Sequence, residues 1–209
     1  RPPRVELMLP GNPSDSSSST LAAVRDHLVR HYGDEPQEAS VTFLGAPPIR
    51  ILRFVDAETS MVRYVSLGCS AEPMGDPSDL VPDPTAPRAE LCIALRGGVD
   101  GLVRALAVLA AAPAVEGLVL AEGALIDLGE PLWEGAAFTA VVLRAPDLPE
   151  VELPGDAAPV TVFRAVPVTH TEAAWVRMKG AAELEEAWEE AGIDVTDPAR
   201  SAVNPGLTR

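Results

Sequence analysis

The sequence predicts an α+β fold built on a largely antiparallel sheet packed with helices. Three observations lead there. Strand-like and helix-like segments are mixed, without the regular strand–helix alternation of a doubly wound sheet. Three strand-like runs follow one another at spacings short enough for hairpins. Hydrophobic residues make up 47% of 209, enough to bury one core, and the length suits a single domain.

In chain order, residues 10–19 (Pro-Gly-Asn-Pro-Ser-Asp and a serine run) have linker composition, so 1–19 is expected to be a flexible N-terminal segment. A helix should follow, capped by Ser19 or Thr20, with Leu21, Val24, Leu28 and Tyr32 on one face and Gly33 as its stop. Val41–Leu44, Ile49–Val55 and Val62–Leu67 then form an antiparallel meander, with turns at Ala46-Pro47-Pro48 and Asp56–Ser60. Residues 71–87 contain Pro73, Pro77, Pro82, Pro84 and Pro87; proline has no amide to donate, so this stretch is a loop. Ala89–Leu95 should be a buried strand. Leu102, Val103, Leu106, Leu109 and Ala110 define a helix expected to end before Pro113. Leu118–Leu120 and Leu125–Leu128 are expected as short strands, and Ala137–Leu143 and Val160–Val166 as longer ones. Thr169 and Glu172 have the spacing of a capping box, Gly180 interrupts the helix they open, and Leu184, Ala187, Trp188 and Ala191 line a second helix closed by Gly192.

Charge and composition exclude several classes. The chain carries 31 acidic against 16 basic residues, a net charge of −15, which disfavours nucleic acid or an anionic membrane as partner and suits a basic protein. No apolar run is long enough to span a bilayer, and the apolar stretch before Pro10 is too short for a signal-peptide core, so the expected compartment is the cytoplasm. The sequence lacks an initiator Met, which leaves a removed segment open. Cys69 and Cys92 sit in apolar, strand-like contexts and are read as small buried hydrophobes rather than a disulfide.

Nothing makes a convincing catalytic set. His27 and His31 share a helix face but lack a third ligand, and no metal or other cofactor is expected. Gly68-Cys69-Ser70 lacks the glycine after Ser70 that a nucleophile elbow needs, and Gly97-Gly98-Val99-Asp100-Gly101 lacks the spacing of a phosphate loop. A hydrolase using Cys69, Ser70 or His170 is the weakest of the readings. Acid distribution says more. Residues 181–197 and the proline-rich loop hold acids and no base. Loops carry binding more often than helices do, so Glu72, Asp76, Asp79 and Asp83 are the expected partner-binding residues, with Glu185, Glu186, Glu189 and Glu190 second. Trp133, Trp175 and Trp188 are expected to be core rather than interface anchors.

The stretch Tyr64-Val65-Ser66-Leu67-Gly68-Cys69-Ser70-Ala71-Glu72-Pro73-Met74 resembles the Tyr-x-Ser-x-Gly-x-Ser-x-x-Pro-Met signature of the suppressor-of-fused domain family in its bacterial form, with Cys69 where Met is common. Further pieces fall in the family's order: Arg88-Ala89-Glu90-Leu91, Leu106–Ala110, Phe138–Leu143 with Pro146, Val166–Glu172 and Asp197-Pro198-Ala199-Arg200. The resemblance spans residues 20–203 and leaves 204–209 as a tail. It implies an α+β domain with a mixed sheet and no catalytic residues. Animal relatives bind and restrain a transcription factor. Bacterial members are similar to immunity proteins that neutralise a cognate polymorphic toxin. The expectation is therefore a non-enzymatic, acidic protein-binding domain that occludes a toxin's basic substrate cleft, or else a binding module for an endogenous partner.

Overall fold

The computed structural model describes residues 13–76, 78–81 and 83–203. The first twelve residues of the expected linker, Pro77, Pro82 and the tail 204–209 lie outside the described residues. Helix α1 (Pro13–Tyr32) leads into strands β1 (Gln37–Phe43), β2 (Ala46–Asp56) and β3 (Met61–Leu67). A single 3-10 turn (Cys69–Ala71) and the proline-rich loop come next, followed by β4 (Arg88–Arg96) and α2 (Leu102–Glu116). The chain continues through β5 (Leu125–Asp127), β6 (Phe138–Arg144), β7 (Val160–Thr169), α3 (His170–Lys179) and α4 (Ala181–Glu190).

The seven strands form one sheet in the order β1-β2-β3-β4-β7-β6-β5. All neighbours are antiparallel except β4 and β7, where Cys92 lies beside Arg164 in a parallel ladder. The architecture is thus α+β with a mixed sheet, as expected. One face packs on α2, through Leu91, Ile93 and Leu95 of β4 against Leu102, Leu106 and Leu109. The other face carries two separate clusters. Val160 and Val162 join Val24 and Leu28 of α1, whereas Val166 and Val168 join Val176, Leu184 and Trp188 of α3 and α4. Side chains alternate along β7, so these clusters share a face. Among the described residues no helix is long and apolar enough to cross a membrane.

Several boundaries differ from the sequence expectation, each for a local reason. Helix α1 opens at Pro13, so it takes in the serine run. Proline is tolerated in a first turn, where its missing amide would have no partner. Asp15 favours the positive end of the helix, and Ser17 donates to Glu72 at 2.7 Å. Pro47 and Pro48 belong to β2 rather than to a turn. They lie beside the β1–β2 irregularity and before Arg50, where pairing with β3 begins, so their missing amides break no ladder. Helix α2 runs through Pro113 to a left-handed cap at Gly117, whose amide bonds the Pro113 carbonyl. One lost hydrogen bond near a helix end is offset by burying Leu109 to Pro113. Leu118–Leu120 is not a strand; the Leu120 amide instead donates to the Met74 sulfur at 3.3 Å.

The capping box of α3 forms as predicted, and its glutamate does more than cap. Glu172 is 1% exposed. It accepts from the Thr169 amide, the Trp188 indole, the Val203 amide and both terminal nitrogens of Arg200. Arg200, 7% exposed, also bonds the Pro167 carbonyl and lies over the Phe138 and Trp188 rings. This cluster fastens the C-terminal segment to α3, α4 and β7. Burial pushes the Glu172 carboxyl up, but hydrogen bonds from Arg200, Trp188 and Thr169 outweigh it and hold the group below the ordinary carboxylate value. A depressed folded value stabilises the protein above the unfolded one, and that contribution is lost as pH falls through the folded value. Glu172→Ala is expected to cost about 3–5 kcal/mol by stranding Arg200. Urea denaturation at neutral pH measures this. The same variant should flatten the acid side of the stability–pH curve, and an unchanged acid limb would contradict the assignment.

Candidate functional site

The loop that holds the predicted acids is built on a buried carboxylate. Glu90 interrupts an otherwise apolar run in β4 and is fully buried. Ionised, it needs donors in place of water. The Ser66 hydroxyl donates to Oε2 and itself accepts from the Leu91 amide. The Gly68 amide, the Ser70 amide and the Ser70 hydroxyl converge on Oε1 at 2.9, 2.9 and 2.6 Å. Ser66 points to this carboxylate from β3, and the 3-10 turn Cys69–Ala71 carries the Gly68 amide and Ser70 back to it. Glycine is required at 68, because a Cβ there would stand 2.9 Å from the Ile49 side chain and 3.1 Å from the Pro48 carbonyl.

This cage fixes the 3-10 turn from which the loop departs. The Arg88 guanidinium closes it by donating to the Ser70 and Ala71 carbonyls at 2.8 and 2.9 Å. Met74, buried, bonds the Pro87 carbonyl through its amide and Leu120 through its sulfur. Two short turns shape the rest. Asp76 accepts from the Ser78 amide and hydroxyl, and Asp83 from the same groups of Thr85. The hydroxyls, then the amides, hold both carboxyls below their usual range, so both are ionised at neutral pH.

The fold brings all four predicted residues together. Glu72, Asp76, Asp79 and Asp83 line one cavity of about 270 Å³ with Cys69, Pro73, Met74, Ala86, and Pro113 and Ala114 of α2. Among the described residues that line it, none is basic. Between the acids, Leu80 and Val81 stand 99% and 83% exposed. A mouth of negative charge with two uncovered apolar side chains can recognise a basic, partly apolar surface.

The other candidates are placed differently. Glu185 is bound to Arg144 at 2.7 Å, whereas Glu186, Glu189 and Glu190 remain exposed. Trp188 is core, and Trp133 and Trp175 are half-buried against it. Both cysteines are free; Cys92 is buried and Cys69 half-buried. Burial, then Glu90, pushes the Cys69 thiol well up, and burial, then Asp147, pushes Cys92 up to about 12. Neither is an activated nucleophile. The Ser70 hydroxyl is committed to Glu90, and His170 is exposed at the α3 start. His27 and His31 gather no third ligand: among the described residues no group of three metal-ligating side chains forms. The glycine stretch before α2 is a packed turn, since a Cβ at Gly98 would meet the Tyr64 hydroxyl at 2.9 Å. Sequence reading missed Glu90 as organiser, and missed Leu80 and Val81. The available signal for Glu90 was a single charge inside a buried-strand pattern.

The suppressor of fused protein (SUFU) family model matches residues 45–201, a span that holds the Glu90 cage, the acidic loop and the Glu172–Arg200 pair. The chain belongs to the suppressor-of-fused family. Its fold is shared with a SUFU homologue from Neisseria gonorrhoeae, at 21% identity and TM-score 0.65, covering 90% of this chain and 98% of that one. The structure of the Sufu–Fu complex contains a similar chain, at 17% identity and TM-score 0.65, covering 88% of this chain and 92% of that one. Drosophila Suppressor of Fused is similar at 15% identity and TM-score 0.65 over 88% of this chain, which spans 51% of that longer protein. No curated protein sequence matches this chain.

Two outcomes follow from the cage. Ser70→Ala is expected to cost about 1–3 kcal/mol in urea denaturation, and Glu90→Ala more, because it strands several donors at once. Limited proteolysis should then cut the loop 72–87 of Glu90→Ala faster than in the wild type. Equal cutting would mean that the cage does not hold the loop. Cys69 should react slowly with a thiol reagent in the native protein at mildly alkaline pH, and rapid stoichiometric labelling would contradict its raised pKa.

Proposed function

We propose that this suppressor-of-fused domain is a non-enzymatic protein-binding module of the cytoplasm, and specifically an immunity protein that neutralises a cognate toxin. The observation that carries the reading is the convergence of Glu72, Asp76, Asp79 and Asp83 on one cavity with no base among the described residues that line it. A toxin that acts on nucleic acid or nucleotides presents a basic cleft to its substrate. The loop would sit over that cleft, its carboxylates taking the place of phosphates and Leu80 and Val81 packing at the rim. A net charge of −15 steers such a partner from a distance and raises the association rate.

A second reading has its own support. The solved Sufu–Fu complex pairs a relative of this fold with a protein partner, so this chain is equally suited to restrain an endogenous protein. Growth separates the two, because only an immunity protein rescues cells that express a toxin.

The triple substitution Asp76→Lys, Asp79→Lys, Asp83→Lys is expected to weaken partner binding at least about tenfold, since several close charge pairs are lost together. It should also reduce the salt dependence of the association rate, without abolishing it, since most of the net negative charge remains. All three side chains are exposed, but Asp76 and Asp83 hold the turns at Ser78 and Thr85, so Asp79→Lys alone is the control that keeps the loop's own hydrogen bonds. Surface plasmon resonance at low and high salt measures both quantities, and unchanged affinity would overturn the assignment of the loop.

A further inference from the structure

The helix-bearing face of the sheet has a gap between its two apolar clusters. On β7, Arg164 occupies the step between Val162, in the α1 cluster, and Val166, in the α3–α4 cluster. Arg164 lies beside Cys92 across the parallel ladder, and Arg63 of β3 lies opposite Ala94. Arg63, Cys92 and Arg164 line a cavity of about 150 Å³, closed on one side by Val195 and Thr196 after α4.

Several basic side chains stay without an ion pair among the described residues, Arg30, Arg53, Arg88, Arg104 and Lys179 among them. With net charge −15, acids outnumber bases, yet neither Arg63 nor Arg164 makes an ion pair among the described residues. Arg164 donates Nε to the Ala145 carbonyl at 3.1 Å, and no described residue bonds its terminal nitrogens. Directly opposite stands Arg144, a like charge already neutralised by Glu185. Arg63 lies 5.1 Å over the Tyr32 ring, which fixes the guanidinium plane without neutralising it. Both arginines line the same cavity as Cys92. The single carboxylate lining that cavity is Asp147, exposed at its rim. On its other side Arg63 borders the turn acids Asp34, Asp56 and Glu58. Asp56 is occupied there by the Glu58 amide and by the amide and hydroxyl of Thr59.

We propose that this cavity binds a single oxyanion of the phosphoryl class, held between Arg63 and Arg164. Guanidinium forks match such oxygens in pairs of charge-assisted hydrogen bonds. The size is right for one small group: a cavity near 150 Å³ holds a benzene-sized guest, whereas whole cofactors need about 300 Å³ or more. The site lies on the opposite sheet face from α2 and is independent of the acidic loop. It would accept either free phosphate or a phosphoryl group carried on a peptide.

The test is an NMR titration of the arginine Nε–Hε signals in the full chain. Inorganic phosphate, phosphoserine capped at both ends, and chloride at matched ionic strength are the three titrants. Saturable shifts of the Arg63 and Arg164 signals with phosphate, absent with chloride, are expected. Tighter binding of capped phosphoserine than of phosphate assigns the peptide-borne source, and equal or weaker binding assigns the free ion. Arg164→Gln should weaken binding at least about tenfold, the loss of one charge-assisted partner. Asp147→Asn, at the exposed rim, should tighten it by removing the repelling carboxylate. A merely structural role would not produce opposite responses in the two variants. Shifts that follow ionic strength equally for chloride and phosphate would overturn the proposal. So would binding that neither folded variant changes.

Discussion

The Glu90 carboxylate is the constraint on which the loop and its surroundings depend. A charge removed from water in the middle of a strand must be supplied with donors, and the chain supplies them from one short segment. Ser66 reaches Glu90 from β3 beside β4, and the turn that follows brings the Gly68 amide and Ser70 to the same carboxylate. The requirement propagates outward. Satisfying Glu90 bends the chain into the 3-10 turn, the turn exposes the Ser70 and Ala71 carbonyls to Arg88, and Arg88 thereby ties the two ends of the proline-rich loop together.

A second buried glutamate works by a different principle. Glu172 has a full counter-ion in Arg200, whereas Glu90 is held by hydroxyls and backbone amides alone. Each joins segments far apart in sequence. Glu90 ties β4 to the signature turn, and Glu172 ties α3 to the C-terminal segment. Each is also costly to leave half-satisfied, which makes the local geometry specific rather than merely stable. The motifs by which the family is recognised, the Ser-Gly-Ser signature and the terminal Asp-x-x-Arg, are thus the polar fastenings of the fold. The loop they fasten carries acids arranged by their own short turns, beside the α2 terminus.

The charge of the molecule is distributed with a purpose that the sequence total conceals. Four acids gather at the loop mouth, and the Arg88 guanidinium beside Glu72 is occupied by the Ser70 and Ala71 carbonyls. Two arginines are held apart from that excess, half-buried between helical layers. The sheet separates the two groups: acids beside α2 on one face, Arg63 and Arg164 on the face that carries α1, α3 and α4.

Periodicity and turn chemistry determined the elements. The order of the meander β1–β3, the start of the helix after Gly101, the capping box at Thr169 and the break at Gly180 rest on local preferences and stand where the pattern placed them, whereas the turn expected at Ala46–Pro48 and the helix end expected before Pro113 do not. The four loop acids were also legible, because charge without countercharge is a property of composition. Tertiary structure decided what local rules cannot express. The serine run is helical because Pro13 opens the helix and Ser17 reaches Glu72, 55 positions away. Helix α2 continues through Pro113 because burial outweighs one hydrogen bond, and Leu120 bonds a sulfur in a distant loop instead of a strand. The parallel pairing of β4 with β7 brings Cys92 beside Arg164, and no spacing along the chain announces it. Local sequence fixes dihedral preferences within a few residues. Which polar groups meet across the sheet depends on strand order, and strand order is a property of the whole core.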